Sequence, residues 1–207
     1  MLRSRRLIFS RWVEALPGEH LTVLDVGGRY QPYLPLFGGR IHQYVSVDLI
    51  QTPAVSAVAD AHCLPFPPET FDVVIATQVL DYVRDPAEAV RQIHSVLKPG
   101  GTFLASAPAC APSFAEGERW RFLAPGLKLL LAPFATVEVV AELFSLGSTI
   151  RTVNLALDTF VRYRAARLVY RRTVCPVLNL LGRAAESFPL TTNDQFTANY
   201  SIRAVKG

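Results

Sequence analysis

Residues 22–33, TVLDVGGRYQPY, decide how the rest of the chain is interpreted. The first half is a short apolar run that predicts a buried strand, and this strand stops at Gly27 and Gly28. Glycine at a strand end lets the backbone turn sharply or lets a ligand approach it closely. Asp25 is an acid within the apolar run, where burial is costly unless something pairs with it. The stretch therefore predicts either a ligand cradle at the carboxyl end of a first strand or an ordinary strand and turn.

The bulk composition is that of a globular protein. The 207 residues suit a single domain over 1–207, and 50% of them are hydrophobic while 18% are charged. The net charge of +4 is only weak evidence for a polyanionic partner. Three widely spaced cysteines disfavour a disulfide framework and a zinc site, so we expect no metal and a reducing, cytoplasmic location. The first residues lack the long apolar region of a signal peptide, and no transmembrane helix is expected.

Strand and helix patterns alternate along the first half of the chain. The strands are predicted at residues 23–26, 43–48, 54–59, 71–76 and from 102 onward. A short helix is predicted at 7–16, and Pro32 and Pro35 predict that the helix after the first strand is stunted or replaced by a turn. A capped helix begins at Asp85 and ends at 98–101. This alternation predicts an α/β fold with a mostly parallel sheet, which binds ligands beyond the carboxyl ends of its strands.

The second half carries a strand at 136–144, helical periodicity over 150–170 and a last strand at 197–205. Pro176 is expected to interrupt the helical region, with a second helical segment continuing to residue 187. No linker that would divide domains is evident.

The glycine stretch departs from a dinucleotide site. Arg29 stands where the second glycine of GxGxxG belongs, although Asp48 supplies an acid 23 positions after Asp25. Asp25 precedes the glycines, where a carboxylate can take the ammonium of an amino-acid-like ligand. Asp60, at the end of the third predicted strand, could accept from an adenine amino group. These two acids favour a nucleoside that carries an amino acid over NAD.

Together these motifs resemble the class I S-adenosylmethionine-dependent methyltransferases, and most closely the small type 11 methyltransferase domain. VLDVGG is similar to that family's first motif and VSVDL to its second. DAHCLPFPPETFDVVIATQVLDYVRDPAEAVRQIHSVLKPGGTFLASAP follows the family pattern almost position by position, so the resemblance covers roughly residues 23–108. It implies a Rossmann-like, mostly parallel seven-stranded sheet flanked by helices, and S-adenosyl-L-methionine as cofactor and methyl donor.

The resemblance also implies which residues hold the cofactor. The methionine part would lie on Asp25, Gly27 and Gly28, the ribose on Asp48 and Leu49, the adenine on Asp60 and Ala61, and the sulfonium region on Gln78 and Val79. Arg29 and Gln31 depart from the family's GxGxG pattern, where small residues are common. Arg29 would either clash with the cofactor carboxylate or reach over it, so a pocket that has lost its function is an alternative.

Methyl transfer to oxygen or nitrogen often needs a base beside the acceptor. In relatives a His after the fourth strand can act as that base, and here Tyr82 takes its place, preceded by Asp81. The pKa of tyrosine is near 10, which makes it a poor base unless the site perturbs it. Asp81 and Tyr82 are the candidate catalytic residues, with solvation and loop packing as the equal alternative. His62 and His94 are further candidate bases, and His94 fits a structural role better.

Residues 107–131 follow the fifth strand, where substrate lids usually sit. Trp120 and Arg121 are the candidate substrate contacts in this segment. GERWRFLAPGLKLLL resembles a segment of some bacterial family members whose genes are often associated with surface-glycan or secondary-metabolite pathways. The resemblance thus implies a bacterial enzyme that methylates an oxygen or nitrogen of a small metabolite or glycan. Two alternatives stay open, a catalytically inactive cofactor-binding protein that acts through a partner, and a nucleic-acid methyltransferase, which the missing (D/N)PPY-type motif disfavours.

The resemblance divides the chain into a core of about 20–145 and 195–207 and a helical insertion of about 149–190. In the insertion Arg164, Arg167 and Arg171 fall at i, i+3 and i+7, which places them on one face of a helix. Such a face could meet phosphates, an anionic membrane surface or a partner, or simply be solvated. The apolar residues beside it could cover the acceptor pocket or form a homodimer interface.

Overall fold

The structure is a computed structural model that describes residues 2–110, 113, 115–142, 145–161, 163–186 and 196–207. Within these residues seven strands form one sheet: β1 (Leu21–Val26), β2 (Ile41–Asp48), β3 (Ala57–Val58), β4 (Phe71–Thr77), β5 (Leu97–Pro108), β6 (Thr136–Ala141) and β7 (Asn199–Val205). The helices are α1 (Leu2–Glu14), α2 (Pro86–Val96), α3 (Ala124–Leu130), α4 (Ser145–Phe160), α5 (Arg164–Arg172) and α6 (Val174–Glu186).

The strand order across the sheet is β3-β2-β1-β4-β5-β7-β6. The neighbours from β3 to β5 pair in parallel, whereas β7 runs antiparallel to both β5 and β6. The predicted mostly parallel, Rossmann-like sheet is therefore confirmed. Because the order reverses between β1 and β4, the loops after these two strands open the crevice where such sheets bind ligands.

Alternate residues of the central strands enter two separate hydrophobic cores. Leu24 and Val74 belong to the core that α2 and α3 cover, while Val23 and Val73 belong to the core on the opposite face, under α1. Both faces of the parallel strands are thus buried, which explains why their sequences are almost continuously apolar. Asp25 follows the period of Val23 and so lies on the α1 face of the sheet.

The capped helix forms for the reasons that its sequence indicates. The Asp85 carboxylate accepts from the backbone N–H groups of Ala87 and Glu88, and Pro86 occupies the first helical position. The apolar stripe that includes Val90 and Ile93 is buried against the sheet. After β1, where prolines predicted a stunted helix, the chain makes two 3₁₀ turns, Leu34–Leu36 and Gly38–Arg40.

Three boundaries in the first half of the chain differ from the predictions. The first helix begins at Leu2 rather than at residue 7, and the third strand is only the pair Ala57–Val58. Residues 98–101 were expected to end α2, but they belong to β5, which starts at Leu97 directly after the helix. Backbone hydrogen bonds between this segment and Lys206 extend the strand pairing, and Gly100 accommodates the shift in register with a φ of +74°.

The single helix predicted over 150–170 is wrong, because the chain turns after Phe160 and continues as α5. The Tyr170 hydroxyl donates to the backbone oxygen of Asn154, 16 residues earlier. A continuous helix would hold those residues about 24 Å apart. Pro176 does not interrupt a helix either, since it lies in the first turn of α6, where a missing N–H is tolerated.

The other boundaries in this half lie close to those predicted. Strand β6 ends at Ala141, and residues 143–144 of the predicted strand lie outside the described residues. The last strand begins at Asn199 instead of residue 197. Among the residues that the structure describes between β6 and β7, three helices follow one another, α4 to α6, and residues 187–190 of the expected insertion lie outside the described part.

Candidate cofactor-binding site

A cavity of about 690 Å³ opens beyond the carboxyl ends of β1, β2 and β4. Seven of the nine predicted cofactor residues line it, namely Gly27, Asp48, Leu49, Asp60, Ala61, Gln78 and Val79. The parallel strands bring these side chains together from positions up to 52 residues apart in the chain. Asp25 and Gly28, the other two, lie behind the lining rather than in it.

The glycines after β1 are required by their surroundings. Gly27 has a φ of +75°, and a Cβ placed on it would lie 2.6 Å from Cγ2 of Val79 in the loop after β4. A Cβ on Gly28 would lie 2.7 Å from the carboxyl carbon of Asp25 and 2.8 Å from its backbone oxygen. Only glycine lets the two loops approach each other and close over Asp25.

Asp25 is 2% exposed, so its carboxyl group is almost fully removed from water. Its Oδ2 accepts a hydrogen bond of 2.7 Å from the Tyr44 hydroxyl on the neighbouring strand β2. Burial raises the pKa of Asp25 to about 7, with a further contribution from the Asp48 carboxylate, although the Tyr44 hydrogen bond opposes the rise. Asp25 therefore supports the glycine turn from below and changes its charge near neutral pH.

Asp48, the last residue of β2, is engaged by two donors. Its Oδ1 accepts from Nη2 of Arg29 at 2.9 Å and from the backbone N–H of Ile50 at 2.9 Å. The Arg29 side chain is 34% exposed and lines the cavity, so it crosses from the glycine turn to the acid predicted to hold the ribose. Gln31, the second departure from the family pattern, instead donates to Ser46 Oγ at 3.1 Å.

Asp60 and His62 form a second polar group on the cavity wall. Asp60 Oδ1 accepts from the His62 backbone N–H at 2.9 Å and from its Nδ1 at 2.6 Å. His62 Nε2 lies 3.1 Å from the Asp85 backbone N–H, which can only donate, so Nδ1 carries the proton of the neutral ring. The His62 backbone hydrogen bond lowers the pKa of Asp60, which keeps this carboxylate charged and able to accept from an amino group.

Gln78, directly after β4, has a φ of +55°, which is rare for a residue other than glycine. Its backbone N–H donates to the Ser106 backbone oxygen at 2.9 Å, and its Nε2 donates to Ser106 Oγ at 3.2 Å. Strained residues held by such contacts recur at ligand sites. Gln78 thereby sets the direction in which the loop after β4 continues along the cavity.

The two candidate catalytic residues lie in different environments. Tyr82 lines the cavity, is 39% exposed, and donates from its hydroxyl to Glu118 Oε1 at 3.3 Å. Asp81 is 2% exposed, and no donor in the described part of the chain contacts its Oδ1. Burial raises the pKa of Asp81 to about 6, Glu118 adds to the rise, and Arg5 is among the cations that oppose it.

Trp120 joins the segment after β5 to the loop after β4, whereas Arg121 pairs with a residue of its own segment. The Trp120 indole N–H donates to the Val83 backbone oxygen at 2.8 Å, and Arg121 Nη2 lies 2.5 Å from Glu118 Oε2. The neighbouring Arg119, which the sequence analysis did not select, is the member of this group that lines the cavity. Its Nη1 donates to the Tyr82 backbone oxygen at 2.6 Å. Its position within the predicted lid segment was the only sequence signal for it.

Two contacts outside the cavity lining also escaped the sequence analysis. Tyr44 holds Asp25, and alternation along β2 places it on the same face, so the pattern contained a signal for this pair. Arg5 of α1 forms a buried ion pair of 2.6 Å with Glu142, which follows β6, and 137 residues separate the partners.

His94 packs edge-on against the Phe134 ring with the centroids 5.0 Å apart, a structural position away from the cavity.

Two further findings apply to the described residues alone. Among them, no group of three or more His, Cys, Asp or Glu side chains is placed to hold a metal ion. None of the helices in the described part of the chain is long and apolar enough to cross a membrane.

Comparison with known proteins gives both relatives and structural neighbours. Over 135 residues the chain is 33% identical to the mitochondrial arginine-hydroxylase NDUFAF5 of Rattus norvegicus, covering 60% of this chain and 36% of that protein. It is 34% identical over 90 residues to the ubiquinone biosynthesis O-methyltransferase of Azotobacter vinelandii, covering 42% of this chain and 34% of that protein. The matches thus span about a third of the length of these curated relatives.

A solved structure with the same fold is the phosphoethanolamine N-methyltransferase 2 of Haemonchus contortus in complex with S-adenosyl-L-methionine. It superposes with a TM-score of 0.61 at 16% identity, over 99% of this chain and 52% of that one. The sequence profile of the methyltransferase domain matches residues 1–135, well over half of the chain, and includes every loop that lines the cavity. With the sheet order and the site at its switch point, this match establishes that the chain belongs to the methyltransferase-domain family.

Proposed function

We propose that this protein binds S-adenosyl-L-methionine in the cavity and transfers its methyl group to an oxygen or nitrogen of a small metabolite or glycan. The observation that carries the proposal is the convergence of seven predicted cofactor residues on one cavity at the switch point of the sheet. The Haemonchus structure binds this cofactor in the same fold, which supports the assignment. The cytoplasmic location and the single-domain organisation stay predictions.

The residues of the cavity fit the chemistry of the cofactor. Asp48 ends β2 and Asp60 follows the neighbouring strand β3, so both supply acceptors of the kind that a ribose diol and an adenine amino group require. The turn at Gly27 contributes its backbone to the cavity lining. The Asp25 carboxylate beneath this turn, when ionised, would attract the ammonium group of the methionine part. When bound, the cofactor supplies an activated methyl group.

Asp81 is the proposed base for the acceptor. Its Oδ1, which accepts no hydrogen bond from any described residue, and its pKa of about 6 suit a carboxylate that takes a proton from a hydroxyl or an ammonium at neutral pH. Tyr82, the next residue, lines the cavity and would orient the acceptor, whereas the Asp81 carboxyl group lies behind that lining. In-line orientation of acceptor and methyl group can itself supply about 7 kcal/mol or more of the rate enhancement.

The first test is the melting temperature with S-adenosylmethionine, S-adenosylhomocysteine and NAD. A ligand at about 100 times its dissociation constant adds roughly 2.7 kcal/mol, which for this size of domain raises the melting temperature by about 5 to 10 °C. We expect that rise with both sulfur ligands and none with NAD. A rise with NAD alone would refute the cofactor assignment.

The second test measures release of S-adenosylhomocysteine with panels of hydroxylated and amino-bearing metabolites and glycans. For an accepted substrate, Asp81→Asn should lower kcat by about 100-fold or more while leaving the affinity for S-adenosylhomocysteine unchanged. Because the ionised carboxylate is the active form, the wild-type rate should rise with pH through about 6 and then level off. A pH-independent rate in this range contradicts the assignment of Asp81.

A second candidate function is cofactor binding without methyl transfer, which the Arg29–Asp48 pair supports. It occupies the acid that would hold the ribose, and Arg29 replaces a small residue of the family pattern. A curated relative of the chain is named an arginine-hydroxylase, so membership of the family does not dictate methyl transfer. Binding of both sulfur ligands with no turnover across the acceptor panels would favour this candidate.

A further inference from the structure

The paired helices α5 and α6, which only Thr173 separates, expose apolar side chains. On α6, Val174, Val177 and Leu181 recur at i, i+3 and i+7 and are 44–56% exposed. We define the α5–α6 surface as Leu168, Val169, Val174, Val177, Leu180 and Leu181, all of which are exposed. Amphipathic helices normally bury their apolar face. Here the apolar residues of the α5–α6 surface face outward, which is the inverse of that arrangement.

The inverted arrangement is held by a polar contact on the opposite side of the helices. Asn154 of α4 is buried, and its Nδ2 donates to the Cys175 backbone oxygen at 3.4 Å and to Asn179 Oδ1 at 3.1 Å. The buried Tyr170 hydroxyl donates to Asn154 from α5. Gly182 lies against Ile150 of α4. These contacts orient both helices and leave their apolar residues facing outward.

The same segment concentrates positive charge. Residues 145–186 contain seven arginines and two acids, a formal net charge of +5, whereas the whole chain carries +4. Arg164 and Arg172 are exposed on α5, one turn to either side of Leu168. Arg171 is also exposed but pairs with Asp158 of α4 at 2.8 Å. Basic side chains thus border the apolar residues.

The combination of exposed apolar residues and bordering arginines distinguishes between the partners that could cover the α5–α6 surface. A second copy of the same face would bring like charges together, which disfavours self-association there. A nucleic acid would satisfy the arginines but offers no hydrocarbon to the valines and leucines, which lack the aromatic faces that bases stack on. An anionic bilayer supplies negative headgroups and apolar chains at once, and helices of this character lie along its surface.

We propose that the α5–α6 surface docks this protein on anionic lipid bilayers. The helices would lie in the plane of the interface, the apolar residues entering the boundary between headgroups and chains and Arg164 and Arg172 contacting anionic headgroups. This inference goes beyond the proposed methyl transfer and does not depend on it, because the surface and the cavity share no residues.

The test is co-flotation of the protein with vesicles of phosphatidylcholine alone and with vesicles of equal parts phosphatidylcholine and phosphatidylglycerol. We expect binding to the mixed vesicles only, weakening as salt rises from about 0.1 to about 0.5 M. The double variant Leu180→Glu/Leu181→Glu should lower the partition coefficient at least about tenfold, since it places charge in the apolar face. The double variant Arg164→Glu/Arg172→Glu should lower it about tenfold or more, since it reverses two charges near the headgroups.

Matched controls come from α3, where Leu129 is 79% exposed beside the exposed Lys128. Leu129→Glu and Lys128→Glu should leave vesicle binding unchanged, and an unchanged melting temperature verifies that each variant is folded. Failure of the wild type to bind mixed vesicles would overturn the proposal, as would equal binding to phosphatidylcholine alone or equal losses from the α3 variants. Light scattering that shows a dimer, lost in Leu180→Glu/Leu181→Glu, without vesicle binding would identify the surface as a contact between copies and overturn membrane docking.

Discussion

At the scale of single residues, the proposed function would require Asp48 to serve two partners. The ribose contact that family membership predicts and the Arg29 guanidinium both call on this carboxylate, and Arg29 and the Ile50 N–H already share its Oδ1. The Asp48 contacts raise the pKa of Arg29, so the guanidinium stays charged throughout the accessible pH range. Under the proposed function Arg29 would therefore compete with the cofactor ribose for the Asp48 carboxylate.

The first prediction concerns this competition. Arg29→Ala should strengthen binding of S-adenosylhomocysteine by up to about fivefold, because a partly exposed ion pair no longer has to be broken. Asp48→Asn should weaken binding at least about tenfold, because it removes a charged acceptor. Titration calorimetry measures both. Arg84→Ala is the control, since it removes another cation from the cavity wall and leaves the Arg29–Asp48 pair intact. Weaker binding by Arg29→Ala would instead make Arg29 a cofactor contact.

The second prediction concerns Asp25, whose pKa is raised from 3.8 to about 7 by burial. The folded protein then holds this proton more tightly than the unfolded chain, so stability decreases as pH rises from about 4 to about 7 and levels off above. The decrease amounts to roughly 4 kcal/mol for this group. Asp25→Asn should remove that decrease, because the amide does not titrate. The free energy of unfolding of the variant, relative to that of the wild type, should therefore be larger at pH about 8 than at pH about 5. Urea unfolding at the two pH values measures the difference, and a constant offset between the proteins would contradict the assignment.

At the scale of elements, the buried pair Arg5–Glu142 joins the N-terminal helix to the end of β6. The Arg5 and Glu142 side chains are 4% and 2% exposed, and Ser201 Oγ of β7 donates to Glu142 as well. The pair lies near Asp81, whose pKa Arg5 lowers. Helix α1 is thus connected both to the antiparallel side of the sheet and to the candidate base.

The third prediction tests that connection. Arg5→Met should destabilise the protein by about 3–5 kcal/mol, because it leaves the Glu142 carboxylate buried without its cation. Arg5→Met/Glu142→Leu should recover most of the loss, since no unpaired charge remains. Denaturant unfolding measures both variants. Arg91→Met removes a solvent-exposed partner of Glu88 and should change stability little, which provides the matched control. A double variant no more stable than the single one would contradict this account of the pair.

At the scale of the whole molecule, the two proposed sites lie on separate parts of the chain. The cavity is formed by loops between residues 26 and 119, whereas the α5–α6 surface belongs to the helices between β6 and β7. The methyltransferase-domain profile ends at residue 135, before those helices begin. Cofactor binding and membrane docking can therefore be observed independently.

The fourth prediction follows from this separation. Hydrogen–deuterium exchange with S-adenosylhomocysteine should slow at 27–31, 48–50, 59–62 and 78–83 and stay unchanged over 164–184, because a ligand protects the backbone that it covers. Anionic vesicles should produce the reverse pattern. Protection of 164–184 by S-adenosylhomocysteine alone would show that the helices close over the cavity, and the two sites would then be coupled.

The strand and loop positions that form the cavity were predictable because they depend on local pattern. Apolar runs of strand length, the glycines after β1 and the acids at strand ends each occupy a few consecutive residues, and parallel pairing brings their ends to one edge of the sheet. Family resemblance over 23–108 then assigned roles to those positions. The capped start of α2 was predictable for the same reason, since its donors and acceptor lie within three residues.

Contacts between distant residues were decided by the tertiary structure alone. The partner of Arg29 lies 19 residues away, that of Tyr170 lies 16 away, and that of Arg5 lies 137 away. Helical periodicity describes which face of a segment is apolar, but it carries no information on whether that face is buried, so the turn after Phe160 and the outward face of α6 could not be predicted. By itself the sequence determined the sheet and the location of the cofactor cavity, because both follow from short-range pattern, while the ion pair over Asp48 and the exposed helical surface required the folded chain.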